Sequence, residues 1–168
     1  MIIGADLSSR TLAFVDEDES VKLGVPKSMR DRSEILQELF LMTIGYLSGK
    51  GGEEKFYLFV EDPVVGRGGS RATILQSQVH GVVLTVAVQS GSLGVYGVNN
   101  KTWKRSVVGN GNATKDEVTD WLRANHPALA KRAGEDQDLV DASCIYLHGR
   151  GIIQQGERIS SLGLHPER

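Results

Sequence analysis

The sequence is short of several things, and each shortage closes a class of explanation. It holds one cysteine, Cys144, so no intramolecular disulfide can form, and no Cys/His pattern has zinc-finger spacing. A reducing compartment suits such a chain. Its longest apolar stretch, residues 79–88, contains His80, Gly81 and Thr85 and falls well below the roughly 20 residues a membrane helix needs. No basic leader precedes the first apolar segment, which meets an acid already at Asp6. The expectation is therefore no targeting segment, no membrane contact and a cytoplasmic location. The most local shortage is of acid. Residues 63–115 contain neither Asp nor Glu, while Arg67, Arg71, Lys101, Lys104, Arg105 and Lys115 carry positive charge.

What is present fits one domain. A chain of 168 residues with 40% hydrophobic and 24% charged residues can bury a core without covalent staples. Residues 1–150 are expected to form it, and residues 151–168, poor in apolar periodicity, are expected to form a tail. The net charge of −2 looks wrong for a nucleic-acid binder, but its distribution matters more. Acids crowd into Asp16, Glu17, Asp18 and Glu19 and again around Glu135, Asp136, Asp138 and Asp141. A cationic surface beside an anionic cluster suits a phosphodiester polymer, because Lys and Arg neutralise phosphates while acids hold metal ions. The alternative is a chance gap in acids within a Gly- and Val-rich region.

Residue periodicity gives the element order. Segments 2–7, 11–15 and about 21–25 read as a three-stranded meander. Asp31 to Glu34 has capping-box spacing, and Ile35, Leu36, Leu39, Phe40, Thr43 and Leu47 follow at helical intervals. Residues 55–60 form a strand, 71–89 a long helix by length, and 92–98 a fifth strand. Thr114 to Glu117 is a second capping box, opening a helix that reaches Asn125 and stops near Pro127. A last helix covers 136–147, with Gly149 and Gly151 beyond it. The fold class is α/β, a five-stranded mixed sheet with helices on both faces.

Four acids stand at the ends or on one face of these elements. Asp6 closes the first strand, Glu61 closes the fourth, and Asp138 and Asp141 lie three apart on the last helix, hence on one face. Carboxylate oxygens are the hard ligands that Mg²⁺ and Mn²⁺ prefer. Two such ions can activate water and neutralise a leaving 3′-oxygen. Singly, each acid has a plainer explanation, such as a strand-end hydrogen bond, a solvated loop acid or a helix N-terminal charge. Together they point to metal-assisted phosphodiester hydrolysis.

The chain resembles the RuvC-type Holliday-junction resolvases of the RNase H-like, or retroviral integrase, superfamily. The resemblance rests on Ile2-Ile3-Gly4-Ala5-Asp6-Leu7, Phe59-Val60-Glu61, Gln78-Val79-His80-Gly81-Val82 and Asp138-Leu139-Val140-Asp141-Ala142. More specific is Val107-Val108-Gly109-Asn110-Gly111-Asn112-Ala113-Thr114-Lys115. These stretches cover the chain up to about Leu147. The resemblance implies an RNase H-like fold and an endodeoxyribonuclease that nicks four-way and other branched DNA. It implies Asp6, Glu61, Asp138 and Asp141 as ligands of two Mg²⁺ ions, for which Mn²⁺ can substitute, with Asp6 as the bridge. It implies Lys115 as a catalytic lysine, Lys104 as a second contributing lysine, and a homodimer, for which the helix around residues 74–88 is the candidate element.

The chain departs from the family after the glutamate, where an aromatic residue that engages bases gives way to Val64 and Val65. Valine cannot stack on a base in that way. Recognition by shape and phosphate contact through the loop containing Arg67 and Arg71 is expected instead. Trp103, between Lys101 and Lys104, could stack on a base or anchor the core. His80, His126, His148 and His165 lack a triad partner. Two other functions compete: a branched-DNA-binding protein that has lost turnover, and a sugar-kinase or actin-like ATPase, for which the chain leaves little room for a second nucleotide-clasping domain.

Overall fold

The computed structural model describes residues 1–52, 55–63 and 69–161, and of residues 51, 69, 70 and 157–161 the backbone alone. Among these, five strands and six helices follow in the order β1 (Ile2–Leu7), β2 (Thr11–Val15), β3 (Ser20–Gly24), α1 (Arg32–Gly51), β4 (Tyr57–Glu61), α2 (Gly69–Gln89), β5 (Gly94–Val98), α3 (Asn100–Val107), α4 (Lys115–Asn125), α5 (Pro127–Ala133) and α6 (Gln137–Ser161). The strands form one sheet ordered β3-β2-β1-β4-β5. β1 pairs antiparallel with β2, and β2 with β3. β4 runs parallel to both β1 and β5. The expected meander plus two parallel strands is what the chain forms.

Strand periodicity divides the molecule into two cores. Side chains alternate across a sheet, and Ile3, Ala5, Leu7, Leu12, Phe14, Leu58 and Val60 point to one face, packed with Ile35, Leu39 and Leu47 of α1 and Val79, Val83 and Val86 of α2. Ala13, Val15 and Phe59 point the other way, into a cluster with Trp103, Val118, Leu122, Leu129, Ala142 and Ile145 from α3 to α6. Gly4, Asp6 and Glu61 share the parity of this second face, so both strand-end acids turn toward α6.

Glycine sets how near α6 comes. A β-carbon on Gly4 would fall against the backbone of Ala142 and Tyr146, and one on Gly149 would fall into the Phe59 ring. With both positions bare, α6 lies directly on β1 and β4, and its first turns come down beside the end of β1.

Three elements differ from the sequence expectation. α3 occupies a stretch to which the sequence reading assigned no element; with 8 residues and one buried side chain, Trp103, its apolar pattern is too short to stand out. α4 ends at Asn125 as expected, but Pro127 then opens a further helix, α5, because a first-turn proline has no intrahelical partner to lose. α6 continues past Gly149 and Gly151 to Ser161, with Gly149 against the Phe59 ring and Ile153 against the second core, so glycine's weak helix propensity does not end it. The helix thus crosses residue 150, where the sequence reading begins a tail; residues 162–168 lie outside the described residues. Among the described residues, no helix is long and apolar enough to cross a membrane.

Candidate active site

The sheet register brings Asp6 and Glu61 together. Ala5 pairs with Val60 across β1 and β4, so Asp6 and Glu61 are the next residues along neighbouring parallel strands. From above, α6 contributes Asp138 and Asp141. All three other acids act on Asp6: burial, then the charges of Glu61, Asp141 and Asp138, hold its carboxyl well above the ordinary range, with Lys115 pulling the other way. Asp141 is raised to about 6, chiefly by burial with Glu61 adding to it, against the Gln137 hydrogen bond and the charges of Lys104 and Lys115. Burial also raises Glu61, against hydrogen bonds from Asn100 and Trp103 and the charge of Lys104.

Each of the three outer acids is oriented by donors of its own. Glu61 accepts from Asn100 Nδ2 on Oε1 at 2.8 Å and from Trp103 Nε1 on Oε2 at 3.1 Å. Asp141 accepts from Gln137 Nε2 at 2.8 Å, one helical turn back. Asp138 Oδ2 lies 2.7 Å from Lys22 Nζ and accepts from Thr11 Oγ1 at 3.2 Å. Lys22 also grips Asp136, which caps the start of α6 by accepting from the Asp138 and Leu139 amides. As they stand, no three or more His, Cys, Asp or Glu side chains among the described residues are grouped so that they could hold a metal ion. The donor set still fits a hard divalent cation. It is built of carboxylates, and the mutual repulsion that raises Asp6 is what a bound cation would relieve.

A cleft of about 630 Å³ opens from this cluster, lined by Glu61 and Asp141 on one side and by Asn100, Lys101, Lys104, Ala113 and Lys115 on the other. The turn between α3 and α4 brings Lys104 and Lys115 to it from neighbouring helices. Gly109 takes a positive φ of 89°, a conformation that side chains resist, and Lys104 Nζ donates to the Ala113 carbonyl at 2.9 Å. Thr114 and Glu117 form the expected reciprocal capping box, so Lys115 is the first residue of α4. Lys101, Arg105 and Lys115 are exposed and Lys104 is half-buried. Arg71 is exposed on the first turn of α2, apart from the residues that line the cleft; Arg67 lies outside the described residues.

No protein-family model and no curated protein matches this sequence. Solved structures do. The chain is similar to the Thermus thermophilus RuvC structure, with a TM-score of 0.72 and 20% identity over 92% of this chain and 96% of that one. It is equally similar to T. thermophilus RuvC in complex with Holliday junction substrate, with a TM-score of 0.71 and 18% identity over 92% and 95% of the two chains. This chain has the RuvC fold. The yeast mitochondrial Holliday junction resolvase is a more distant neighbour, with a TM-score of 0.53 and 9% identity over 97% and 86%.

Within this RuvC fold, the sequence reading named the acids and the lysines but missed what holds them. Asn100, Trp103, Gln137, Thr11 and Lys22 were not among the expected site residues. Of the two roles open to Trp103, the structure selects the second: it is 0% exposed, so it does not stack on a base and serves as a core anchor whose indole edge reaches Glu61. Gln137 alone had a legible signal, four residues before Asp141 on the same helix face. Cys144 is buried, and burial, with Asp141 adding to it, pushes its thiol up to about 12.

Proposed function

We propose that this protein is a divalent-metal-dependent, structure-selective endonuclease that nicks four-way DNA junctions, and other branched DNA, by two-metal phosphodiester hydrolysis. The observation that carries the proposal is the convergence of Glu61, Asp138 and Asp141 on the buried Asp6, with Lys115 close enough to oppose their effect. Asp6, Glu61, Asp138 and Asp141 would hold two Mg²⁺ ions, or Mn²⁺ in their place. Such ions supply an activated water and charge neutralisation at the leaving oxygen. The protein's own residues do the rest. Lys115, at a helix N-terminus, contacts the scissile phosphate and stabilises its developing charge, while Lys104 raises the positive potential of the cleft wall. Lys101, Arg105, Arg71 and Arg67 neutralise flanking phosphates.

That T. thermophilus RuvC has been solved with a Holliday junction supports the choice of substrate. The same reading takes the protein as a homodimer, one site for each of two strands, and the exposed Ile74 and Val88 on α2 support that helix as the contact. On this reading the protein acts in the cytoplasm of a bacterial or phage-infected cell.

One observation favours a second reading, a branched-DNA-binding protein without turnover. Lys22 already neutralises Asp138, in a position where a metal ion would compete with it. A panel of four-way, three-way, flap and linear DNA separates the two. Paired nicks in the four-way junction, dependent on Mg²⁺ or Mn²⁺, support the nuclease. Tight junction binding with no cleavage under any divalent ion supports the binder.

A further inference from the structure

We infer that Asn100 and Trp103 are positioning residues that clamp Glu61 in one orientation and thereby set the affinity of the site for its metal ions. The inference rests on the metal-dependent reading above and goes beyond it by assigning α3 a task.

The geometry is specific. Asn100 and Trp103 lie three apart on α3 and so share a face of that helix. Each addresses a different oxygen of the same carboxylate, Nδ2 to Oε1 at 2.8 Å and Nε1 to Oε2 at 3.1 Å. Two donors on two oxygens fix both the position and the plane of the group. A carboxylate has about four acceptor sites, so one remains on each oxygen for a cation. Indole N–H can only donate, which makes the contact one-directional: it is made to an acceptor oxygen and to nothing else.

The clamp is itself anchored. Asn99 caps α3 through its side chain, and Trp103 is fully enclosed by the core beneath α6. The face of the same indole lies 5.5 Å from Lys104 Nζ, so one ring positions an acidic group at its edge and a cationic group over its face. Partners that orient a metal ligand typically change metal affinity about 10–100-fold when removed. A loop in place of α3 would leave Glu61 free to rotate.

Trp103 also makes the proposal directly observable. The chain has two tryptophans, Trp103 and Trp121, and Trp121→Phe leaves the indole that donates to Glu61 as the sole tryptophan emitter. In that variant, titration with Mg²⁺ and with Mn²⁺, in parallel with calorimetry, should give a saturable change in emission that Glu61→Gln removes. Asn100→Leu in the same background should raise the metal Kd about tenfold, and Asn100→Gln, which keeps a donor, should recover most of the loss. Asn100→Ser provides a milder removal of the donor if the leucine variant does not fold. Saturable metal binding by calorimetry, with an unchanged Kd in Asn100→Leu and Asn100→Ser and no emission change from Trp103, would overturn the clamp while leaving the nuclease reading intact. Absence of any Mg²⁺ or Mn²⁺ binding by the unsubstituted protein, with and without junction DNA, overturns the nuclease reading and the clamp with it.

Discussion

At the scale of single residues, this site places charges where burial opposes them. The ordinary value of an aspartate is 3.8, and Asp141 in the folded protein stands at about 6. Because the folded value exceeds the unfolded one, folding favours the protonated form; its contribution to stability is fully present below about 3.8 and is lost as pH rises through about 6. Asp6 shifts in the same direction. Two outcomes follow for metal-free protein. This site's contribution makes the fold more stable near pH 5 than at pH 7, and Asp6→Asn or Asp141→Asn raises the melting temperature at pH 7 in EDTA by roughly 2–4 °C. Saturating Mg²⁺ should raise the unsubstituted protein's melting temperature and leave that of Asp6→Asn nearly unmoved. Differential scanning calorimetry at the two pH values, with and without Mg²⁺, measures all of these. The proposed function gives Lys115, at the cleft wall, an effect on rate. Lys115→Met should lower single-turnover cleavage about 10²–10³-fold and weaken junction binding about tenfold at most.

At the scale of elements, the site depends on how near α6 lies to β1. Gly4→Ala places a carbon against the α6 backbone, which has no flexible side chain to give way. It should cost roughly 1–3 kcal/mol in urea unfolding, and should reduce cleavage further than the lost stability explains, since Asp138 and Asp141 ride on α6. Thr114→Ala removes the capping box that starts α4 and should cost about 1 kcal/mol. Elements were legible in the sequence where they carry a strong local rule. The β1 and β4 alternation, the Thr114-to-Glu117 box and the i, i+3 spacing of Asp138 and Asp141 are all of that kind. α3 was not legible, because in a helix of 8 residues with one buried side chain the apolar pattern is too short to stand out. The donors to Glu61 were hidden for a related reason: they reach it only because β5 runs parallel to β4 and delivers α3 over the strand end. Lys22 was hidden likewise, since it reaches Asp138 only after the meander folds beneath α6. Local rules thus showed the four acids, and tertiary pairing supplied what orients them.

At the scale of the whole molecule, the segregation of charge along the chain becomes a segregation in space. The acid-free stretch contributes Lys101 and Lys104 on α3 and ends in Lys115, and all three line the cleft that opens from the acids. Junction binding should therefore be strongly salt-dependent. Replacing Lys101, Lys104 and Lys115 together should flatten the slope of log K against log salt by up to about 2.7, roughly 0.9 for each phosphate no longer neutralised. Gel-shift titrations in EDTA between low and moderate salt give that slope. The most direct test of the central claim is single-turnover cleavage of a synthetic four-way junction in Mg²⁺ and in EDTA, by the unsubstituted protein and by Asp6→Asn. The account predicts paired nicks only for the unsubstituted protein in Mg²⁺, with Asp6→Asn still binding the junction. Cleavage in EDTA, or undiminished cleavage by Asp6→Asn, would contradict it.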